Sequence, residues 1–134
     1  MKTDLDAIQI VYESLVSGGG IGIDGYVYKL IRPVGSLKED IVINSITANS
    51  EQLQTVVLNV NLYVSDIAAK INNQNQYLPN TARLNQLTNK LNDILENLSG
   101  SGYLAYIEFQ HTLAEKEIQQ HYMNTRLVFT FEPI

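Results

Sequence analysis

Two residue patterns in this chain have spacings on which site chemistry is commonly built. Gly20-Ile21-Gly22-Ile23-Asp24-Gly25 spells G-x-G-x-x-G, the spacing with which backbone amides at a helix start hold a pyrophosphate. That chemistry needs a strand before the glycines and a helix after them. Here a helical pattern precedes them and a strand-like one follows, so the segment reads as a helix-to-strand loop of the kind that orders on contact with a neighbour. The second pattern is His111 and His121 with Glu115 and Glu117 between them. Imidazole and carboxylate form a zinc or iron ligand set if the flanking strands make a hairpin that brings both rings together. The spacing matches no established metal signature, and an ordinary surface role is the simpler expectation. Two carboxylate pairs, Glu39-Asp40 and Asp93 with Glu96, have the composition of an acid and a base. Their turn-like and exposed helical settings would not push two pKa values apart. No G-x-S-x-G elbow, P-loop or H-E-x-x-H occurs. No catalytic, cofactor-binding or metal-ligating residue is therefore assigned, and no cofactor is expected.

The elements that would position these residues follow from periodicity. A first helix is predicted from about Asp4 to Ser17, capped by Thr3 or Asp4, with Leu5, Ile8, Tyr12 and Leu15 on one face. Gly18-Gly19-Gly20 ends it, because successive glycines lose too much backbone freedom to stay helical. Three strands are expected next: Tyr26 to Arg32, stopped by Pro33; Ile41 to Ile46, followed by a turn at Ala48-Asn49-Ser50; and Thr55 to Val64. In the last, Val56, Leu58, Val60, Leu62 and Val64 alternate with Val57, Asn59, Asn61 and Tyr63. One aliphatic and one half-polar face suit an antiparallel sheet covered on one side by helices. Ser65 to Pro79 reads as a long amide-rich loop, or one with a helical turn around Ile67 to Ile71. A second helix begins at Asn80 or Thr81, carries the stripe Leu84, Leu87, Leu91, Ile94, Leu95 and Leu98, and ends at Ser99-Gly100.

Two closing strands follow. In Tyr103 to Thr112 the residues Tyr103, Ala105, Ile107 and Phe109 alternate with Leu104, Tyr106, Glu108 and Gln110; in His121 to Glu132 the core set is Met123, Leu127, Phe129 and Phe131. The expected fold is one α+β domain, a mainly antiparallel sheet of about five strands packed against two helices in the order α-β-β-β-α-β-β. Mobile loops are expected at 18–25, 65–79 and 113–120.

Composition narrows the function classes. With 134 residues, 45% of them hydrophobic and 17% charged, the chain can bury one sizeable core without cross-links. The absence of cysteine excludes disulfides, thiolate zinc sites and cysteine nucleophiles. A net charge of −5 disfavours a grip on nucleic-acid backbone, so no sequence-specific nucleic-acid binding is expected. No run reaches the roughly 18 to 20 apolar residues that span a bilayer, and Met1-Lys2-Thr3-Asp4 lacks a signal-peptide layout. No membrane association and cytoplasmic synthesis are the expectations. Asn72-Asn73-Gln74-Asn75-Gln76 and eight tyrosines give a surface of neutral amides and amphipathic rings, suited to solvent or to neighbouring subunits.

An amino-terminal helix, a Gly-rich loop, three strands ending in Leu58-Asn59-Val60-Asn61-Leu62-Tyr63-Val64-Ser65-Asp66, a helix led by Pro79-Asn80 and Arg83-Leu84, and two closing strands resemble the tail-terminator or tail-completion proteins of long-tailed bacteriophages and prophages. The likeness spans nearly the whole chain and rests on element order, length and the third strand. It implies a ring-forming homo-oligomer, commonly a hexamer, that ends the tail tube and meets tail-tube and head-connector proteins, hence a virion location. It brings no catalytic position. The expected subunit contacts are Gly20, Ile21 and Ile23 in the Gly-rich loop, Tyr26 and Tyr63 on strands, Ile67 and Tyr77 in the 65–79 segment, and Glu115 and Glu117 in the last connection. Two other classes fit the same architecture. One is a small dimeric ligand-binding or regulatory module with an apolar pocket between helix two and the sheet. The other is a metal-dependent enzyme on His111, His121 and Glu117.

Overall fold

A computed structural model of the chain describes residues 2–48, 54–100 and 102–132. Two helices, α1 (Asp4–Val16) and α2 (Thr81–Leu95), lie on one face of a mixed sheet, and a separate two-stranded sheet stands apart. The main sheet runs β1 (Val27–Lys29), β2 (Ile41–Ala48), β3 (Gln54–Ser65), β8 (Gln120–Phe131), β7 (Tyr103–Glu115) and the two-residue β6 (Ser99–Gly100) in spatial order. All neighbours are antiparallel except β1, which runs parallel to β2. The α+β class and helix-on-sheet packing are as the periodicity predicts. No helix among the described residues is long and apolar enough to cross a membrane.

The central strand sets the layers. Val56, Leu58, Val60, Leu62 and Val64 of β3 are all buried, and Leu127, Phe129 and Phe131 of β8 join them beneath the helices. Five consecutive alternations on one strand leave only one register that buries the whole set, because a one-residue slip would turn every side chain to the other face. From α2 the buried stripe is Leu84, Leu87, Thr88, Leu91 and Leu95, and Asn80 caps its start by accepting from the Arg83 amide. Thr3 caps α1 in a reciprocal capping box with Asp6.

Four expectations are corrected by the folded chain. The buried face of α1 is Ala7, Ile8, Val11 and Leu15, whereas Leu5 is exposed and Tyr12 only partly covered. The helix is apolar on more than one side, and the smaller Ala7 and Val11 allow it to lie closer on β2 and β3. The first strand is three residues rather than Tyr26 to Arg32, since Leu30 turns to a φ of 76°, and it is parallel rather than antiparallel. The 65–79 segment is no loop: it forms a hairpin, β4 (Ile67–Ile71) and β5 (Gln74–Leu78). Strand β7 extends through Glu115 and β8 begins at Gln120, so of the 113–120 connection only 116–119 lies outside strands, mostly as the 3₁₀ turn Lys116–Ile118. The turn expected at Asn49-Ser50 lies outside the described residues.

A β-bulge at Glu108, between Ile107 and Phe109, changes the face of everything after it on β7. Tyr103, Ala105 and Ile107 pack on the core as alternation predicts, but Phe109 moves to the uncovered face and Gln110 turns inward to exchange hydrogen bonds with Asn92 of α2. Leu58→Ala is expected to cost about 2–5 kcal/mol by emptying a fully buried site. Val57→Ala, one residue away on the other face, should cost less than half as much. Urea unfolding of the two variants checks the register; equal losses would contradict it.

Candidate functional site

The face of the sheet opposite the helices carries a continuous polar and aromatic array. Asn124 donates to both Asn59 and Asn61 (3.0 and 2.6 Å), and Asn59 donates to Asn44 (3.0 Å), so one amide row crosses β8, β3 and β2. Tyr63 and Tyr122, cross-strand partners, stack with ring centres 4.9 Å apart, and the Arg126 guanidinium lies 4.4 Å over the Phe109 ring. Burial pushes the phenol pKa of both tyrosines up, and the carboxylate of Glu115 adds to the rise.

One end of this face is closed by the chain between β1 and β2. Arg32 reaches back across it with its guanidinium 4.2 Å over the Tyr63 ring. Its Nε and Nη2 donate to Asp40 Oδ2 (3.1 and 2.7 Å), Nη1 donates to Gln120 Oε1 (2.9 Å), and Nη2 also reaches the carbonyls of Lys38 and Ser36. The two side chains are 12% and 1% exposed. Asp40 further accepts from Ser36 Oγ and the Tyr26 amide, which leaves neither charge unanswered.

That cluster explains the third glycine of the G-x-G-x-x-G stretch. A Cβ on Gly25 would sit 2.0 Å from Asp40 Oδ1 and 2.4 Å from the Glu39 carbonyl, where the Gly25 amide itself donates at 2.9 Å. The glycine is needed for a close backbone approach, not for a phosphate. Glu39 in turn binds Arg83 at the start of α2 through both oxygens (2.7 and 2.8 Å), and Asp24 and Glu39 exchange backbone-to-carboxylate hydrogen bonds. Hydrogen bonding from Arg83 holds the Glu39 carboxyl below its ordinary value, and Glu39 raises Arg83. The Glu39-Asp40 pair thus serves two separate ion pairs.

The two histidines do not converge. His111 pairs with Asn124 on the uncovered face, while His121 points to the helix side and places Nδ1 2.6 Å from Asp66 Oδ1. No group of three or more metal-ligating side chains occurs among the described residues. Asp93 and Glu96 are exposed on and just after α2.

The expected contact residues fall in three settings. Ile21 is buried in the core, and Ile23 is partly buried against the core. Tyr63 is half-buried under Arg32. Gly20, Tyr26, Ile67, Tyr77, Glu115 and Glu117 are exposed. Ile67 and Tyr77 belong to the β4–β5 hairpin, whose strand residues are all exposed except Ala69. Its base is fastened: the Asp66 amide donates to the Gln119 carbonyl, Asp66 holds His121, and Ser65 Oγ donates to the Leu37 carbonyl. Its tip turns in two residues, Asn72 and Asn73, both at positive φ (51° and 63°), the geometry that a tight hairpin needs and that asparagine tolerates. The flanking Asn72-Asn73 pair was the available sequence signal for it.

The loop between β1 and β2 exposes further apolar side chains, Ile31, Val34 and Leu37. An open groove of about 550 Å3, lined by Pro79, Ala82, Leu84, Thr112 and Met123 among others, lies between the start of α2 and the sheet. No protein-family model matches the chain, and no curated protein matches it.

Arg32→Ala strands a buried carboxylate and is expected to destabilise the fold by about 3–5 kcal/mol, read from denaturant midpoints. A loss below about 1 kcal/mol would contradict the pairing. The Glu39 carboxyl titrates lower folded than unfolded, so its stabilisation is complete above the ordinary value of 4.5 and is lost as pH falls through the folded value. Arg83→Met should therefore be less stable than the parent at neutral pH, with the gap closing as the solution is acidified. A gap constant with pH would contradict this.

Proposed function

We propose that this chain is a structural subunit that assembles with copies of itself into a closed ring, of the kind that ends the tail tube of a long-tailed phage or prophage and joins it to the head connector. The single observation that carries assembly is the β4–β5 hairpin. It is fastened at its base, exposed along its length and apolar at Ile67, Ile71, Tyr77 and Leu78. An isolated two-stranded hairpin is marginal in water, so such an arm gains most of its stability from a neighbour. The β1–β2 loop adds exposed Ile31, Val34 and Leu37, a second set of contacts suited to partner subunits such as tail-tube or connector proteins.

The phage assignment draws on element order, length and the form of the third strand; the folded chain adds a hairpin between that strand and α2. A net charge of −5 suits a passage through which DNA slides without adhering. In this reading the subunit is made in the cytoplasm and ends in the virion, and the residues in contact are exposed ones, without Ile21.

A second reading, a small dimeric ligand-binding or regulatory module, draws on the groove between α2 and the sheet. Sedimentation and negative-stain electron microscopy of concentrated protein, alone and with tail-tube protein, separate the two. Rings of uniform diameter are expected. Stable dimers that never form rings, even with tail-tube protein present, would overturn the proposal in favour of the second reading.

A further inference from the structure

Strand β7 has a neighbour on only part of one side. Strand β8 pairs along its length, but β6 covers only Tyr103 and Leu104, so from Ala105 to Glu115 the outer edge meets no strand among the described residues. Edges this long are normally defended by lysine, proline or distortion, because their free amides and carbonyls template pairing with another chain. Residues 103–115 contain no lysine and no proline, and the one bulge leaves Phe109 to Glu115 in regular register with β8.

The chain also carries a segment built to fill such an edge. Both strands of the β4–β5 hairpin are five residues long and have open outer edges, a length that fits within Phe109–Glu115. The register of the hairpin puts Ile67, Ile71 and Leu78 on one of its faces, and β7 puts Phe109 and Leu113 on one of its own. Laid side by side, the two apolar rows become continuous.

Charge selects this pairing over the symmetric ones. Segment 67–78 carries a single charge, Lys70, whereas Glu108 and Glu115 lie on β7 and Glu117 follows it. Two β7 edges set against each other would oppose like carboxylates, and two hairpins would leave the β7 edge unfilled. We infer that the β4–β5 hairpin of one copy adds as a strand to the free β7 edge of a second copy. Arm and edge are different surfaces, so the contact is head-to-tail and each subunit offers one of each, the condition for a ring that closes. The inference rests on the proposed ring only in taking a second copy as the occupant.

Two surface variants test it. Asn72→Pro with Asn73→Pro destroys the arm, since proline cannot adopt positive φ. Leu113→Lys with Glu115→Lys puts charge into the apolar row that the edge offers to Ile67 and Ile71. Each should keep the melting temperature of the parent and sediment as a monomer, and an equimolar mixture should give a one-to-one dimer, with one intact arm on one intact edge. On the unaltered protein, zero-length carbodiimide coupling of mixed isotope-labelled and unlabelled subunits should join Lys70, which lies on the face opposite the apolar row, to Glu117 of another copy, just beyond the strand. Should a variant melt early, the coupling result decides by itself. Either variant assembling like the parent, a mixture that stays monomeric, or coupling without that link overturns the arm-to-edge contact and leaves the ring standing. A parent that remains monomeric with and without tail-tube protein overturns both.

Discussion

A guanidinium withdrawn from water must have its donors answered, and in this fold the answers come from the segment 36–40 that follows it and from two distant strands. Arg32 gathers the carboxylate of Asp40, the amide of Gln120, two loop carbonyls and the ring of Tyr63. Satisfying it brings the chain leaving β1 back across the end of the sheet, so that it enters β2 in the same direction as β1. The parallel pair at one edge of an otherwise antiparallel sheet is a consequence. So is Gly25, which lies against the carboxylate that the arginine holds. The buried pair gives little net stability by itself, because desolvation offsets most of its attraction; what it fixes is one path for the loop among many.

Two other polar pairs act in the same way at other junctions. Arg83 with Glu39 joins α2 to the loop before β2, and His121 with Asp66 joins β8 to the base of the projecting hairpin. The carboxylates and the histidine whose residue types suggest chemistry are thus occupied in fastening loops to a sheet whose stability comes from apolar burial. From Ile67 through the hairpin, and along β7 from Ala105 to Glu115, the chain continues as strand with one edge that meets no other strand among the described residues. The division between a fastened body and strands with free edges is the structural basis for the proposed assembly.

How much of this was legible in the sequence depends on whether one periodicity dominated. The alternation from Val56 to Val64 and the stripe Leu84, Leu87, Leu91 and Leu95 each admit one solution, and both are as predicted. Helix α1 was legible as a helix but not in its rotation, since Leu5 and Tyr12 compete with Ala7 and Val11 for the buried side. The parallel direction of β1 goes with a return loop that Arg32 fastens to Asp40, Gln120 and Tyr63, and no periodicity in the three-residue strand encodes it. Among the candidate contacts, Ile21 follows three glycines and looks like part of an exposed loop, yet the loop folds inward and buries it.

The hairpin and the bulge were missed for opposite reasons. In Gln74-Asn75-Gln76 there is no hydrophobic alternation to detect, because no face of that hairpin is buried in its own chain; composition suggested a loop, and only the Asn72-Asn73 turn carried the signal. In β7 alternation is present and misleading: Ile107 and Phe109 have the same parity but opposite faces, since Glu108 is an extra residue. That shift puts Phe109 under Arg126 and brings Gln110 against Asn92, so the strand can bury its first half under α2 and present aromatic and apolar side chains on the uncovered face in its second half. A strand without the bulge would have to hold one face in the core along its whole length. With it, the same strand closes the core at one end and extends beyond it at the other, still in register with β8.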